Sequence, residues 1–123
     1  MSDERGYRGT GTYRPEGSDE VDTLFDLLRD PGRRLVLTRL QQDGRTSIQR
    51  ILHERRGRGE DWRAFEIGLH HVHLPRLEQG GLIEYDERSG EIVGRDWPAG
   101  LDRLLAAARE LETGVLAEGS ETA

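Results

Sequence analysis

Apolar residues recur along this chain with two periods, and the periods predict its secondary structure. Between residues 19 and 79, and again between 98 and 113, they repeat at three- and four-residue intervals, which is typical of amphipathic helices. Residues 82–93 instead form two short apolar runs around a polar loop that ends in glycine, which is typical of a β-hairpin. The pattern therefore predicts a mainly α fold with a small hairpin, in the α+β class, with about five helices.

Capping residues place the ends of the first two helices. The first is predicted over about residues 19–28, with Ser18 or Asp19 as its cap. The second begins at Asp30-Pro31, a cap followed by proline at the first helical position, and ends at Gly44. Each helix has one apolar stripe and is expected to pack that face on a core.

A short strand and a third helix follow. Arg45-Thr46 is predicted as the strand, and the helix runs from about Ser47 to Arg55, with Thr46 and Gln49 at the spacing of a capping box. Residues 55–60 contain three arginines and two glycines and are predicted as a flexible basic loop.

The fourth predicted helix, residues 61–79, has apolar residues on two sides. One stripe contains Trp62, Phe65, Leu69 and Val72, and the nearly opposite side holds Ile67 and Leu74. A helix of this kind is expected to be buried on two sides. Pro75 lacks the N–H that would bond the carbonyl of His71, so a kink or a break is expected there. Gly80 and Gly81 are expected to supply the left-handed backbone that ends the helix.

The last predicted helix, residues 98–113, is expected to begin at an Asp96 cap. It would pack on the first helix, on a second copy of the chain, or on both, because its apolar residues follow the 3.5-residue repeat of helices that pack side by side. We therefore predict a homodimer whose interface contains the apolar residues Leu24, Leu101, Leu104, Leu105, Ala108 and Leu111.

These elements divide the chain into four segments. Residues 1–17 are polar and glycine-rich and are predicted as a disordered tail. Residues 18–97 form the predicted folded domain and residues 98–115 the packing and dimerisation helix. Residues 116–123 are predicted as a second disordered tail.

The passage from the fourth helix into the hairpin resembles a known family. The run His73-Leu74-Pro75-Arg76-Leu77-Glu78-Gln79-Gly80-Gly81-Leu82-Ile83 is similar to the recognition-helix signature of ArsR-like winged-helix regulators. The longer run from His70 to Asp86 resembles an uncharacterised haloarchaeal winged-helix domain family even more closely. The resemblance covers about residues 20–95 and implies a winged helix-turn-helix that binds duplex DNA and regulates transcription. The loop of residues 55–60 is longer than the turn of a compact helix-turn-helix, which departs from the ArsR-like pattern.

The amino-acid composition indicates the size of the core and the cellular compartment of the protein. The chain of 123 residues is 33% hydrophobic and 34% charged, so one small core is expected. The sequence has no cysteine, no long apolar run and no apolar leader, which predicts a cytoplasmic protein without disulfides or a membrane span. All 18 basic residues are arginine and the net charge is −6, a balance that resembles the proteins of salt-loving archaea.

Catalysis finds no support in the sequence. Paired carboxylates in a recognisable motif, a phosphate-binding glycine loop and a nucleophile motif are all missing, so we expect neither enzyme activity nor a cofactor. His70 and His73 are spaced to share a metal ion, but a structural zinc site has four clear ligands. We therefore favour packing or hydrogen-bonding roles for the histidines over metal sensing.

The basic segment of the chain coincides with the predicted helix-turn-helix. Residues 23–60 hold nine arginines against five acids. Arginines there would contact phosphates, side chains of the fourth helix would reach base edges, and the wing tip would enter a minor groove. The predicted DNA-binding residues are Arg45, Arg50, Arg55, Arg56, Arg58, Arg63, His70, His71 and Arg88.

Two other interpretations stay open. The arginines are also consistent with a solvated face that balances the acids. The net acidity, the acids that flank Arg88 and the doubly apolar fourth helix favour a winged helix that binds another protein instead of DNA. The sequence identifies neither an operator nor a small-molecule effector.

Overall fold

The computed structural model describes residues 13–56 and 61–122, with side chains as far as residue 114. The elements, in chain order, are α1 (Ser18–Leu28), α2 (Pro31–Asp43), β1 (Arg45–Ser47), α3 (Ile48–Arg55), α4 (Trp62–Gly68), a π-helical turn (Leu69–His73), α5 (Leu74–Gln79), β2 (Ile83–Tyr85), β3 (Glu91–Gly94) and α6 (Leu101–Thr122). Residues 62–79 keep helical backbone angles throughout, and we call them the composite helix. This order confirms the predicted α+β fold class, with a winged-helix-like arrangement of helices and sheet.

The sheet has three antiparallel strands in the order β1-β3-β2. Thr46 of β1 and Tyr85 of β2 pair with Ile92 of β3 from opposite sides. Ile92 is fully buried, so the central strand closes one side of the core. The sequence predicted each strand to within one residue at either end.

The loop of the hairpin is fastened to the start of α3. The carbonyl of Gly90 accepts a 2.9 Å hydrogen bond from the N–H of Ile48, and the side-chain amide of Gln49 donates to the carbonyl of Ser89 at 3.3 Å. Gly90 has φ +82°, and a Cβ there would lie 2.7 Å from the Gln49 amide. The backbone angle therefore favours glycine at this position, and a Cβ would in addition displace the Gln49 side chain.

The start of α2 forms as predicted. Asp30 Oδ1 accepts hydrogen bonds from the N–H groups of Gly32 (2.7 Å) and Arg33 (3.3 Å). Pro31 occupies the first turn, where its missing N–H costs no hydrogen bond. Gly44, with φ +81°, ends the helix in the left-handed region.

Two of the predicted caps are wrong. The cap position of α1 is Gly17, and neither Ser18 nor Asp19 makes a capping hydrogen bond. The cap of α3 is Ser47, whose hydroxyl oxygen accepts from the N–H of Arg50 at 3.1 Å. The predicted capping box is one residue out of register, because β1 continues through residue 47 before the helix begins.

The last helix is displaced from its predicted position. It begins at Leu101, after Gly100 at φ +95°, and Asp96 does not cap it. Its backbone continues to Thr122, past the predicted end at about residue 113. Among the described helices, none is both long and apolar enough to cross a membrane.

The core lies where α1, α2, α3, the composite helix, the sheet and α6 meet. Its buried apolar residues are Leu27, Leu28, Val36, Leu37, Leu40, Ile48, Ile51, Leu69, Leu74, Leu77, Leu82, Ile83, Ile92, Leu101 and Leu105.

The π-helical turn decides which side of the composite helix is buried. The N–H of Leu74 donates to the carbonyl of Leu69, five residues earlier, so the widened turn stacks these two leucines on one side. Both have 0% exposure, whereas Ile67 is 56% exposed. The predicted burial on two sides is therefore wrong. Pro75 neither breaks nor ends the helix, since the π-helical turn before it and α5 form one continuous helical segment.

The composite helix ends in a Schellman motif. Gly81 has φ +80°, and the N–H of Leu82 donates to the carbonyl of Leu77 at 3.0 Å. Gly80 keeps an ordinary helical φ of −78°, so the left-handed angle predicted for it is wrong. Its missing side chain serves packing instead, since a Cβ there would lie 2.8 Å from Leu27 Cδ1 of α1.

Candidate nucleic-acid interface

An aromatic ring flanked by two arginines marks the start of the composite helix. The guanidinium carbon of Arg56 lies 5.3 Å from the centre of the Trp62 ring, and that of Arg63 lies 5.8 Å from it. All three side chains are exposed. We call Arg56, Trp62 and Arg63 the basic corner. Cation–π attraction holds both positive charges near one another although they repel.

The chain reaches this geometry through local capping. Asp61 Oδ1 accepts hydrogen bonds from the N–H groups of Arg63 (3.1 Å) and Ala64 (3.2 Å), which starts the helix at Trp62. The sequence placed Trp62 on a buried stripe, and its exposure was missed. Trp62 lies between the basic loop and Arg63, and this position in the sequence could have indicated that it belongs to an interface.

The arginines of the basic corner differ from many others in the protein because they have no carboxylate partner among the described residues. Seven arginines have carboxylate partners: Arg14–Asp19, Arg29–Asp26, Arg34–Glu112, Arg39–Glu54, Arg45–Glu91, Arg76–Asp26 and Arg95–Glu84. Within the part of the chain that the structure describes, the exposed arginines that form no such pair are Arg50, Arg56, Arg63, Arg88, Arg103 and Arg109. The basic corner and Arg50 on α3 therefore offer positive charge that the protein itself does not neutralise.

Three of the predicted DNA-binding residues are less free to contact DNA than the sequence suggested, and a fourth lies outside the described residues. Arg45 is bound to Glu91 at 2.8 Å. Arg55 is half-buried, with its guanidinium carbon 5.7 Å from the centre of the Phe65 ring. Arg58 lies outside the described residues, as do residues 1–12 of the predicted tail. Arg88 is exposed on the wing but borders an acidic groove.

This wing groove has a volume of ≈ 660 Å³. Five carboxylates line it, from Glu78, Glu84, Asp86, Glu87 and Glu91. Burial, and then the charges of Glu87 and Asp86, raise the pKa of Tyr85 in the same wall. The wing therefore presents negative charge beside the outward face of the composite helix.

The two adjacent histidines of the composite helix have different surroundings. His70 is half-buried, and its Nδ1 shares a 2.9 Å hydrogen bond with the Tyr85 hydroxyl of β2. His71 is exposed. It follows Arg63 and Ile67 at four-residue intervals, so the three side chains lie along one outward ridge.

A buried polar cluster, which the sequence did not reveal, joins the composite helix to α1 and α2. Arg33 is 4% exposed and donates hydrogen bonds to the carbonyls of Leu27 (2.8 Å) and Asp26 (3.0 Å) and to His73 Nδ1 (3.1 Å). Because arginine can only donate, His73 must accept at Nδ1 and carry its proton on Nε2, which lies 3.5 Å from Asp30 Oδ1. Burial, aided by Arg33, lowers the pKa of His73.

Two of the four histidines therefore have hydrogen-bonding partners within the protein. His70 and His73 turn towards Tyr85 and Arg33 respectively. Across residues 13–56 and 61–122, no group of three or more histidine, aspartate and glutamate side chains is placed to hold a metal ion.

The predicted dimer residues fall into two groups. Leu101 and Leu105 are 0% and 1% exposed in the core of the same chain, so their assignment to a dimer interface is wrong. Leu24 and Leu104 line an apolar groove of ≈ 390 Å³ between α1 and the start of α6. Val21 and Phe25, at 47% and 57% exposure, form its rim. Ala108 is half-buried against α2, and Leu111 is 71% exposed.

Comparison with known proteins gives one match. No curated protein and no solved structure matches the sequence. The family described as "Domain of unknown function (DUF7344)" matches residues 25–93, a run that extends from α1 to β3 and includes the basic corner. Because this run makes up more than half of the chain, the protein belongs to the DUF7344 family.

Proposed function

We propose that this protein is a cytoplasmic transcriptional regulator that binds duplex DNA, related in mechanism to the ArsR-like regulators that its sequence resembles. The observation that carries the proposal is the basic corner, which has exposed arginines without carboxylate partners in the described chain at the start of an outward-facing helix. Guanidinium groups bind phosphate oxygens through charge-assisted hydrogen bonds.

The residues divide between positioning and reading. Arg50 and Arg56 contact phosphates, which fix the register of the protein on the duplex but carry no sequence information. Arg63 lies one position inside the composite helix and reaches a base edge, where arginine pairs with guanine. The acidic groove of the wing repels the backbone, so Arg88 contributes less than the corner does.

Salt dependence of DNA binding tests this proposal. A fluorescent duplex of mixed sequence is titrated with protein at several KCl concentrations, and the logarithm of the association constant is plotted against that of the salt. Each phosphate contact contributes about 0.9 to the slope. Replacing Arg50 and Arg56 with alanine is expected to lower the slope by about 1.8, that is, by two contacts.

The matched control removes one arginine from β1 and one that directly follows β3. Arg45→Ala with Arg95→Ala makes the same change in net charge, but these side chains are paired with Glu91 and Glu84. We expect the slope to remain near that of the unmodified protein. An equal decrease in both double variants would show that net charge, and not the corner, governs binding, and the absence of salt-dependent binding would refute the proposal.

A second function is favoured by the wing groove. Glu84 and Glu91 are paired with Arg95 and Arg45, but the other three carboxylates of the groove suit a basic protein partner. The protein would then be an interaction module without DNA contacts. The two functions respond differently to Glu84→Gln with Glu87→Gln. DNA binding should become stronger, because repulsion of phosphates is removed. If the variant with Glu84→Gln and Glu87→Gln does not bind duplex DNA, the function as a protein interaction module is favoured.

We also propose a homodimer that forms through the apolar groove between α1 and α6. Val21 and Phe25 are exposed on its rim, and burying them against a second copy would remove apolar surface from water. A two-fold dimer would present two composite helices to the duplex, as dimeric helix-turn-helix proteins do.

A further inference from the structure

Arg63, Ile67 and His71 define the outer ridge of the composite helix. Ile67 is 56% exposed, although leucines of the same helix are fully buried on the opposite side. The carboxylates of the helix turn away from this ridge, because Glu66 lies 3.9 Å from His70 and Glu78 accepts from the N–H of Tyr85. The ridge therefore combines a guanidinium, a branched aliphatic side chain and an imidazole.

We propose that Ile67 reads the C5-methyl group of a thymine in the major groove, close to the base that Arg63 contacts. This inference rests on the proposed function. Apolar side chains recognise thymine through its methyl group, which is the one apolar feature on the major-groove edges of the bases. Positive charge at Arg56 and Arg63, beside Ile67, is complementary to a duplex and unsuited to a cationic partner.

The spacing along the ridge fits neighbouring bases. Four residues of helix rise roughly 6 Å, and stacked base pairs are roughly 3.4 Å apart. Arg63 and Ile67 therefore reach bases about two steps apart, and the preferred site contains a guanine with a thymine nearby.

The experiment uses DNA that differs only in methyl groups. The protein selects a preferred duplex from a random pool, and that duplex is then prepared with each thymine replaced in turn by deoxyuridine. We expect one replacement to weaken binding by about fourfold, the effect of leaving one methyl group unburied. Replacements elsewhere in the duplex should leave the affinity unchanged.

Protein variants assign the effect to a side chain. Ile67→Ala should bind the thymine and deoxyuridine duplexes equally, while Ile67→Val should keep most of the preference. Val72→Ala is the matched control, because Val72 is also branched and 43% exposed but lies off the ridge. It should keep the full fourfold ratio.

Two results would overturn the inference while DNA binding stands. In the first, replacing any thymine with deoxyuridine leaves the affinity unchanged, although binding remains salt-dependent. In the other, the preference for thymine survives in Ile67→Ala. If the unmodified protein binds no duplex at all, the proposed function fails together with the inference.

Discussion

Deleting one residue tests why the composite helix contains a π-helical turn. Such a turn holds one residue more than an α-helical turn, so removing Val72, which is 43% exposed, should convert the segment to an α-helix. Leu74 would then follow Leu69 by four positions, and both leucines would still face the core. His70 would keep its place relative to Leu69, and His73 relative to Leu74.

Pro75 sets the cost of this deletion. In the shortened helix its ring would meet the carbonyl four residues before it, which costs about 3 kcal/mol. Burial of the two leucines stabilises the fold by roughly 1.5–3 kcal/mol for each side chain. This gain is at least as large as the clash at proline, so the shortened helix should keep its core contacts. We expect deletion of Val72 to lower the free energy of unfolding by about 3 kcal/mol. In the Pro75→Ala background the same deletion should cost less than about 1 kcal/mol.

Urea unfolding followed by circular dichroism measures these free energies. Pro75→Ala alone is the control and should change stability by less than about 1 kcal/mol, since the buried leucines hold the widened turn in place. The reasoning is refuted if the deletion costs the same with proline and with alanine at position 75.

Three further predictions concern pH, capping and assembly. Folding lowers the pKa of His73 from its ordinary 6.5, so the unfolded chain binds the proton first and the free energy of unfolding falls as the pH drops below that value. The free energy of unfolding, measured by urea titration at several pH values, should decrease by at most about 1.4 kcal/mol per pH unit. His73→Gln should remove this pH dependence. Asp61→Ala should lower stability by about 1 kcal/mol through the lost cap, and Asp61→Asn should restore most of it. Val21→Ser with Phe25→Ser should be monomeric in sedimentation equilibrium, whereas the control Val72→Ser should remain dimeric. If the double variant is still a dimer, the groove between α1 and α6 is not the dimer interface.

Features that depend on neighbours in the sequence could be predicted. The cap at Asp30, the end of α2 at Gly44 and the three short strands each depend on a few consecutive residues. The pairing of Arg45 with Glu91 joins residues far apart in the chain, and so does the contact of Arg33 with His73. Which arginines remain unpaired was therefore not readable from local sequence.

The composite helix was predicted in position but not in orientation. A period of 3.6 residues was assumed along its whole length, and that assumption put Leu69 and Leu74 on opposite sides. The actual turn depends on a competition between Pro75 and the burial of leucines in the core, which only the assembled fold decides. The same error assigned Ile67 to a buried face, and this concealed the outer ridge.

The glycine at the end of the hairpin loop has a mechanical consequence. Gly90 and Ser89 accept hydrogen bonds from Ile48 and Gln49 in the first turn of α3. Because these bonds join the loop to the helix, we expect the two to move together, so that a displacement of the hairpin tip also displaces Arg50.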